Sequence, residues 1–197
     1  MKSFLHVGCG PQNKSRIKGF TSDDWHEIRF DIDKSVMPDI EGTLSDMSAV
    51  RTESVDAIYS SHNIEHLFPH EVPLALNEFY RVLKPHGIVV LTCPDLQSVC
   101  AAVANDKLLE PLYVSGAGPI SAIDILYGHR GYIEGGNEYM AHKCGFTYST
   151  LRAAFFQAGF GSAFGGSRPE KFDLWLVAFK EARPDAELEE ISLAYLP

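Results

Sequence analysis

Near the middle of the chain six residues, Ile88-Val89-Val90-Leu91-Thr92-Cys93, run apolar with no alternation between Gly87 and Pro94. A strand that is polar on neither face cannot leave one side in water. It has to lie in a sheet covered on both faces, which is the situation of a parallel sheet between layers of helix. The preceding segments complete the unit. Val55 to Tyr59 reads as another strand. Glu71 to Leu83 repeats Val72, Leu76, Phe79 and Val82/Leu83 at helical spacing, with Pro73 in the first turn and Pro85 ending it. Strand, helix and strand in that order make a right-handed crossover, and several together make a doubly wound α/β sheet.

The rest of the chain fits the same class. Ser3 to Val7 and Glu27 to Ile32 are short apolar strands, and a third is expected before Gly42. Thr147 to Ala158 predicts a helix with Leu151, Ala154, Phe155 and Ala158 on one face and Gly159 as its cap. Gly161 to Ser167 and Phe172 to Phe179 read as closing strands. Between them and the central unit, residues from about Asp106 to Gly145 break the rhythm. A helical piece is expected at Ile120 to Tyr127, and the whole stretch reads as an inserted lid or substrate-specificity element. Residues 181–197 are acidic, with Leu188, Ile191 and Leu196 able to form a short docking helix or to fray. At about 150 residues per domain, 1–197 is one domain.

Composition narrows the function. Seventeen basic against twenty-six acidic side chains give a net charge of −9, which disfavours nucleic acid and anionic lipid as partners. No apolar stretch is long enough to span a bilayer or to serve as a secretory signal. Cys9, Cys93, Cys100 and Cys144 show no paired spacing, as expected of reduced thiols in a cytoplasmic protein.

The chemistry begins at Gly8-Cys9-Gly10. A strand entering glycines turns sharply and lets a ligand approach the main chain. Asp31 closes the second strand twenty-one residues after Gly10, where a carboxylate accepts the hydroxyl hydrogens of a ribose. An adenosine-bearing cofactor is implied. A nicotinamide dinucleotide needs a third small residue where Asn13 stands. Asp46 follows the expected third strand, where it would lie near an adenine edge with Leu44 or Met47 against the ring.

Taken together, Leu5-His6-Val7-Gly8-Cys9-Gly10, Phe30-Asp31-Ile32-Asp33, Ser54-Val55-Asp56-Ala57-Ile58, Ile64-Glu65-His66-Leu67 and Arg81-Val82-Leu83-Lys84-Pro85-His86-Gly87 resemble a class I S-adenosylmethionine-dependent methyltransferase of the small-molecule type. The resemblance covers about residues 3–95 and resumes weakly at His142 to Phe160. It implies a Rossmann-like, mostly parallel seven-stranded sheet with the last strand antiparallel. It implies S-adenosylmethionine as cofactor, held by Gly8, Cys9, Gly10, Asp31, Ile32, Asp46, Met47, Ser61 and His62, with Ser61 and His62 near the transferable methyl. The chain departs from the family at His6, usually acidic, at Gln12, usually glycine, and at Thr43, commonly aspartate. The connection from Gly10 to Glu27 leaves the usual first helix shortened or absent, which would open one side of the site.

The expected reaction is in-line transfer of a methyl group to an oxygen or nitrogen of a small-molecule acceptor. A general base is needed only for an alcohol, a phenol or a protonated amine, and imidazole titrates in the right range. His62 is the first choice, and His129 and His142 are candidates to touch substrate from the insertion. His66 is read as structural. The string His62-Asn63-Ile64-Glu65-His66 also fits the H-x-x-E-H zinc-hydrolase pattern, but Pro69 and Pro73 cut short any helix that would carry it. No metal is expected. A non-catalytic cofactor-binding module and a nicotinamide-dependent oxidoreductase are the other rivals. Oligomeric state is left open, with the acidic tail as a candidate dimer contact.

Overall fold

The computed structural model describes residues 1–197. The chain enters as β1 (Lys2–Val7), then β2 (Trp25–Asp31), β3 (Ile40–Glu41) and β4 (Val55–Ser61). Helix α1 (Val72–Val82) leads directly into β5 (Leu83–Pro94). Helix α2 (Leu96–Ala104), a hairpin of β6 (Pro111–Ser115) and β7 (Gly118–Ser121), α3 (Ala122–Tyr127) and α4 (Arg130–Glu134) follow. Helix α5 (Tyr148–Gln157), β8 (Ser162–Arg168), β9 (Asp173–Phe179) and α6 (Asp185–Leu193) complete the chain. No helix is long and apolar enough to cross a membrane.

Seven strands form one sheet in the order β3-β2-β1-β4-β5-β9-β8, the remaining two being the hairpin. All neighbours pair in parallel except β9, which runs antiparallel to both β5 and β8. The doubly wound sheet with its antiparallel last strand is therefore the one expected. Strand β5 starts earlier than its apolar run, at Leu83, because Val55 on β4 pairs there before a register shift.

Each face of the sheet has its own core. On one side α1 and α5 bury Leu76, Phe79, Leu151 and Phe155 against Leu5, Ile58, Val89 and Leu91. Fully burying a side chain of this size stabilises the fold by about 1.5–3 kcal/mol. On the other side Phe4, Ala57, Val90 and Val177 meet Ile17, Phe20, Trp25 and Leu188. The first helix is indeed missing: only a 3₁₀ turn, Lys14–Arg16, stands between β1 and β2. The sheet face beside that gap is not left bare. Helix α6 and the residues after it cover the face, with Tyr195 packed on Phe20 at 5.1 Å between ring centroids and Ser192 fully buried. The tail therefore docks on its own sheet.

The insertion is more structured than a loop with one helix. Its hairpin and α3 enclose a small core of their own with α2, made of Val99, Ile120, Ala122 and Ile125.

Candidate functional site

In an open parallel sheet, ligands bind beyond the carboxyl ends of the strands, at the place where the chain reverses its direction of strand addition. Here that place is between β1 and β4, since β2 and β3 were laid down on one side of β1 and β4 begins the other. A cavity of about 460 Å³ opens there, within the size range of small-molecule and cofactor sites. Gly8, Gly10, Asp31, Ile32, Ser61 and His62 all line it.

The glycine turn is built by its neighbours. Gly8 has φ +58°, and a Cβ there would lie 1.9 Å from Asn63 Oδ1. Asn63 donates to Val7 O at 3.0 Å and to Ser61 O at 3.1 Å, so one amide pins the end of β1 to the end of β4. Gly10 has φ +50° and nothing within 4 Å of its missing Cβ, leaving open space against the main chain. Its carbonyl accepts from Arg29 Nη2 at 2.5 Å. Its N–H donates to Asp31 Oδ2 at 2.8 Å, while Asp31 Oδ1 accepts from Asp33 N at 2.9 Å. An ionised carboxylate has about four acceptor positions, so two remain for the hydroxyls of a ribose. That open cradle and half-used carboxylate fit an adenosyl group.

Five expected contributors stand elsewhere. Cys9 is buried between its two glycines and does not line the cavity, and burial pushes its thiol up to about 11. Met47 is fully buried, because a tight turn follows the two-residue β3: Asp46 N donates to Thr43 O at 3.1 Å. Glu78 and Arg81 then hold Met47 inward through its N–H and carbonyl, at 2.8 and 2.9 Å. Asp46 lies outside the cavity beside that pair, and Thr43 and Leu44 line the wall instead. His129 caps α4, accepting from Tyr132 N. His142 packs behind the cavity wall against His66, at 4.9 Å between ring centroids. The insertion reaches the cavity with other residues, Asn137, Tyr139, Met140 and Lys143.

His62 follows β4 in the left-handed region at φ +55°. For a residue with a Cβ this costs roughly 1–2 kcal/mol. Its N–H donates to Thr92 O at 2.9 Å, which fixes the bend. The imidazole is half exposed, with Nδ1 3.2 Å from Oε1 of the buried Glu65. Burial alone would lower its pKa, but the adjacent Glu65 carboxylate outweighs that and holds it above the ordinary value. The helix required by an H-x-x-E-H hydrolase is not formed. Residues 64–66 are a single 3₁₀ turn, and His62 lies in the bend between β4 and that turn.

His6, at the position usually acidic, is buried on the far face and pairs with Glu27 at 2.7 Å. Burial lowers its pKa despite that partner. It does not reach the cavity.

A family profile described as a methyltransferase domain matches residues 5–91. Over those residues, somewhat less than half of its length, the chain is similar to a methyltransferase domain. The matched segment runs from β1 through β5 and contains the glycine turn, Asp31 and His62. No curated protein matches the chain. Among solved structures, a SAM-dependent methyltransferase from Archaeoglobus fulgidus is 15% identical, with TM-score 0.60 over 91% of this chain and 86% of that one. The 1,6-didemethyltoxoflavin-N1-methyltransferase of Burkholderia thailandensis, solved with S-adenosylhomocysteine, is 14% identical, with TM-score 0.55 over 91% and 71%. The CMeT domain of the citrinin polyketide synthase is 11% identical, with TM-score 0.57 over 92% of this chain and 47% of that one, about half its length. At these identities the likeness is one of fold. The resemblance read from the motifs is thus borne out by the family match and the architecture.

Proposed function

We propose that this methyltransferase moves the methyl group of S-adenosylmethionine to an oxygen or nitrogen of a small-molecule acceptor, in a reducing, cytoplasmic compartment. The observation that carries the reading is the single cavity whose wall joins the Gly8–Gly10 turn and Asp31 to His62. The sulfonium of the bound cofactor is itself a strong electrophile, so the protein's task is orientation, worth about 7–11 kcal/mol of barrier. Asp31 would hold the ribose, and Ile32 and Leu44 the adenine. His62 would face the acceptor and take its proton, with Glu65 fixing the imidazole from behind. Asn137, Tyr139 and Lys143 would bring the insertion over the acceptor as its specificity element. The net charge of −9 and four free cysteines support a small-molecule acceptor and a reducing compartment over a phosphate polymer or a secreted setting.

Calorimetric titration with S-adenosylhomocysteine tests the reading. One site per chain is expected, with Asp31→Ala weakening it by about 1–3 kcal/mol through loss of acceptors. His62→Ala is expected to leave that affinity intact while lowering turnover at least ~10²-fold. Absence of binding would remove the cofactor assignment, and a change in turnover below threefold would remove His62 as the base.

A further inference from the structure

Directly behind His62 lies a group of three side chains, of which the proposed methyl transfer uses only Glu65. Glu65 is 1% exposed, and neither of its carboxylate oxygens has a hydrogen-bond partner. His62 approaches one of them at 3.2 Å, off the line of a hydrogen bond, and the other faces no partner at all. An ionised carboxylate left this way in a protein interior is strongly disfavoured unless a cation compensates it. His66 and His142 complete the group, with ligand atoms of all three residues within 4.8 Å of one another.

The two imidazoles are already oriented. His66 Nδ1 lies 3.2 Å from Ala141 O, and His142 Nδ1 lies 2.7 Å from Ile125 O. A carbonyl only accepts, so each Nδ1 carries the hydrogen and each Nε2 is left with a free lone pair. A ring N–H donated to a backbone carbonyl is the arrangement that fixes the tautomer and aim of a metal-binding histidine. The main chain holds the three residues in register. Lys143 N and Cys144 N both donate to Glu65 O, at 2.8 and 3.2 Å, so the strap that delivers His142 is laced to the turn that carries Glu65 and His66.

We infer that Glu65, His66 and His142 form a binding site for one divalent transition-metal ion. Two imidazoles and one carboxylate are a donor set suited to zinc and its neighbours, and hard cations such as Mg²⁺ favour all-oxygen surroundings. Metal–ligand bonds of about 2.0–2.2 Å place tetrahedral ligands roughly 3.4 Å apart, so the three side chains close inward by about an ångström on binding. His66 also lines the cavity, which sets the ion at its wall. The site reverses the expectation from sequence that no metal is bound, without restoring the helical hydrolase geometry. It does not depend on the cofactor assignment.

The test uses the full chain, stripped with chelator and titrated with Zn²⁺ and separately with Co²⁺. Saturation at one ion per chain is expected, with a Co²⁺ absorption band appearing in step. Glu65→Gln and His142→Ala should each weaken Zn²⁺ binding at least tenfold. If those variants do not fold, histidine nitrogen NMR of the unmutated chain reads the same point, with Nε2 of His66 and of His142 shifting on Zn²⁺ addition. No saturable binding, binding unchanged in both variants, or Nε2 signals that stay put would overturn the site. Calorimetry with S-adenosylhomocysteine on the same samples separates the two readings. S-adenosylhomocysteine binding without metal binding sinks this inference alone, and the reverse sinks only the cofactor assignment.

Discussion

At the scale of single residues, the site rests on a close approach between Gly8 and Asn63. Two constraints meet at Gly8: a left-handed φ and an amide where its Cβ would be. Gly8→Ala is therefore expected to destabilise the chain by more than about 1 kcal/mol in urea unfolding and to weaken S-adenosylhomocysteine binding. Adding Asn63→Ala removes the collision and leaves the strain, so the double variant should lose less than the sum of the two. A fully additive result would show that the contact does not govern the turn. Gly8, Gly10 and Asp31 were legible in the sequence because motif and spacing fix them along one strand–turn–strand path. Asn63 was not, since its role depends on the bend at His62 that carries its amide across to β1. Nor was the Glu65–His66–His142 group, whose members come from two segments that only the tertiary fold brings together.

At the scale of elements, legibility followed apolar pattern. Strands β1, β2, β4, β5 and β9 and helices α1 and α5 were expected within a few residues of where they lie, because each buries a continuous run or one face. The β6–β7 hairpin was missed. It is short, half-exposed and interrupted by Pro111, Gly118 and Pro119, so it carries no period-two signal. Helix α2 was missed because Val99 is its one buried position. Helix α3 was expected, but what holds it is its capping box. Asp124 accepts from the N–H and hydroxyl of Ser121 at 3.0 and 2.6 Å and from Arg130 Nε at 2.7 Å. Arg130 holds the Asp124 carboxyl well below the usual range; burial opposes this and Ser121 adds to it. A carboxyl with a depressed folded pKa stabilises above its unfolded value, about 3.9, and loses that contribution as pH falls further. Asp124→Asn should cost about 1–3 kcal/mol at pH 7, and the gap between variant and parent should narrow below about pH 4. A gap constant from pH 7 to pH 3 would count against the ionised box.

At the scale of the molecule, the doubly wound sheet and its antiparallel closing strand followed from the order of the elements. How its second face is covered did not. Helix α6 has a weak apolar pattern, and only Leu188 and Ser192 on it are buried, so its sequence carries little sign of its importance. Yet it stands in for the absent first helix over Phe4, Ile17 and Phe20. Leu188→Ala should cost about 2–4 kcal/mol in chemical denaturation, as a truncation inside a closed core does. A cost below ~0.5 kcal/mol, as at a surface position, would mean that the tail only rests on the sheet.

Covering the opening strands with the closing helix has a consequence for how the protein is made. Chains leave the ribosome at about 5–20 residues per second, and β1 emerges roughly 180 residues ahead of α6. For that interval the aromatic side chains of Phe4, Phe20 and Trp25 lack their final cover, so the nascent polypeptide passes through a sticky stage that lasts until α6 has been made.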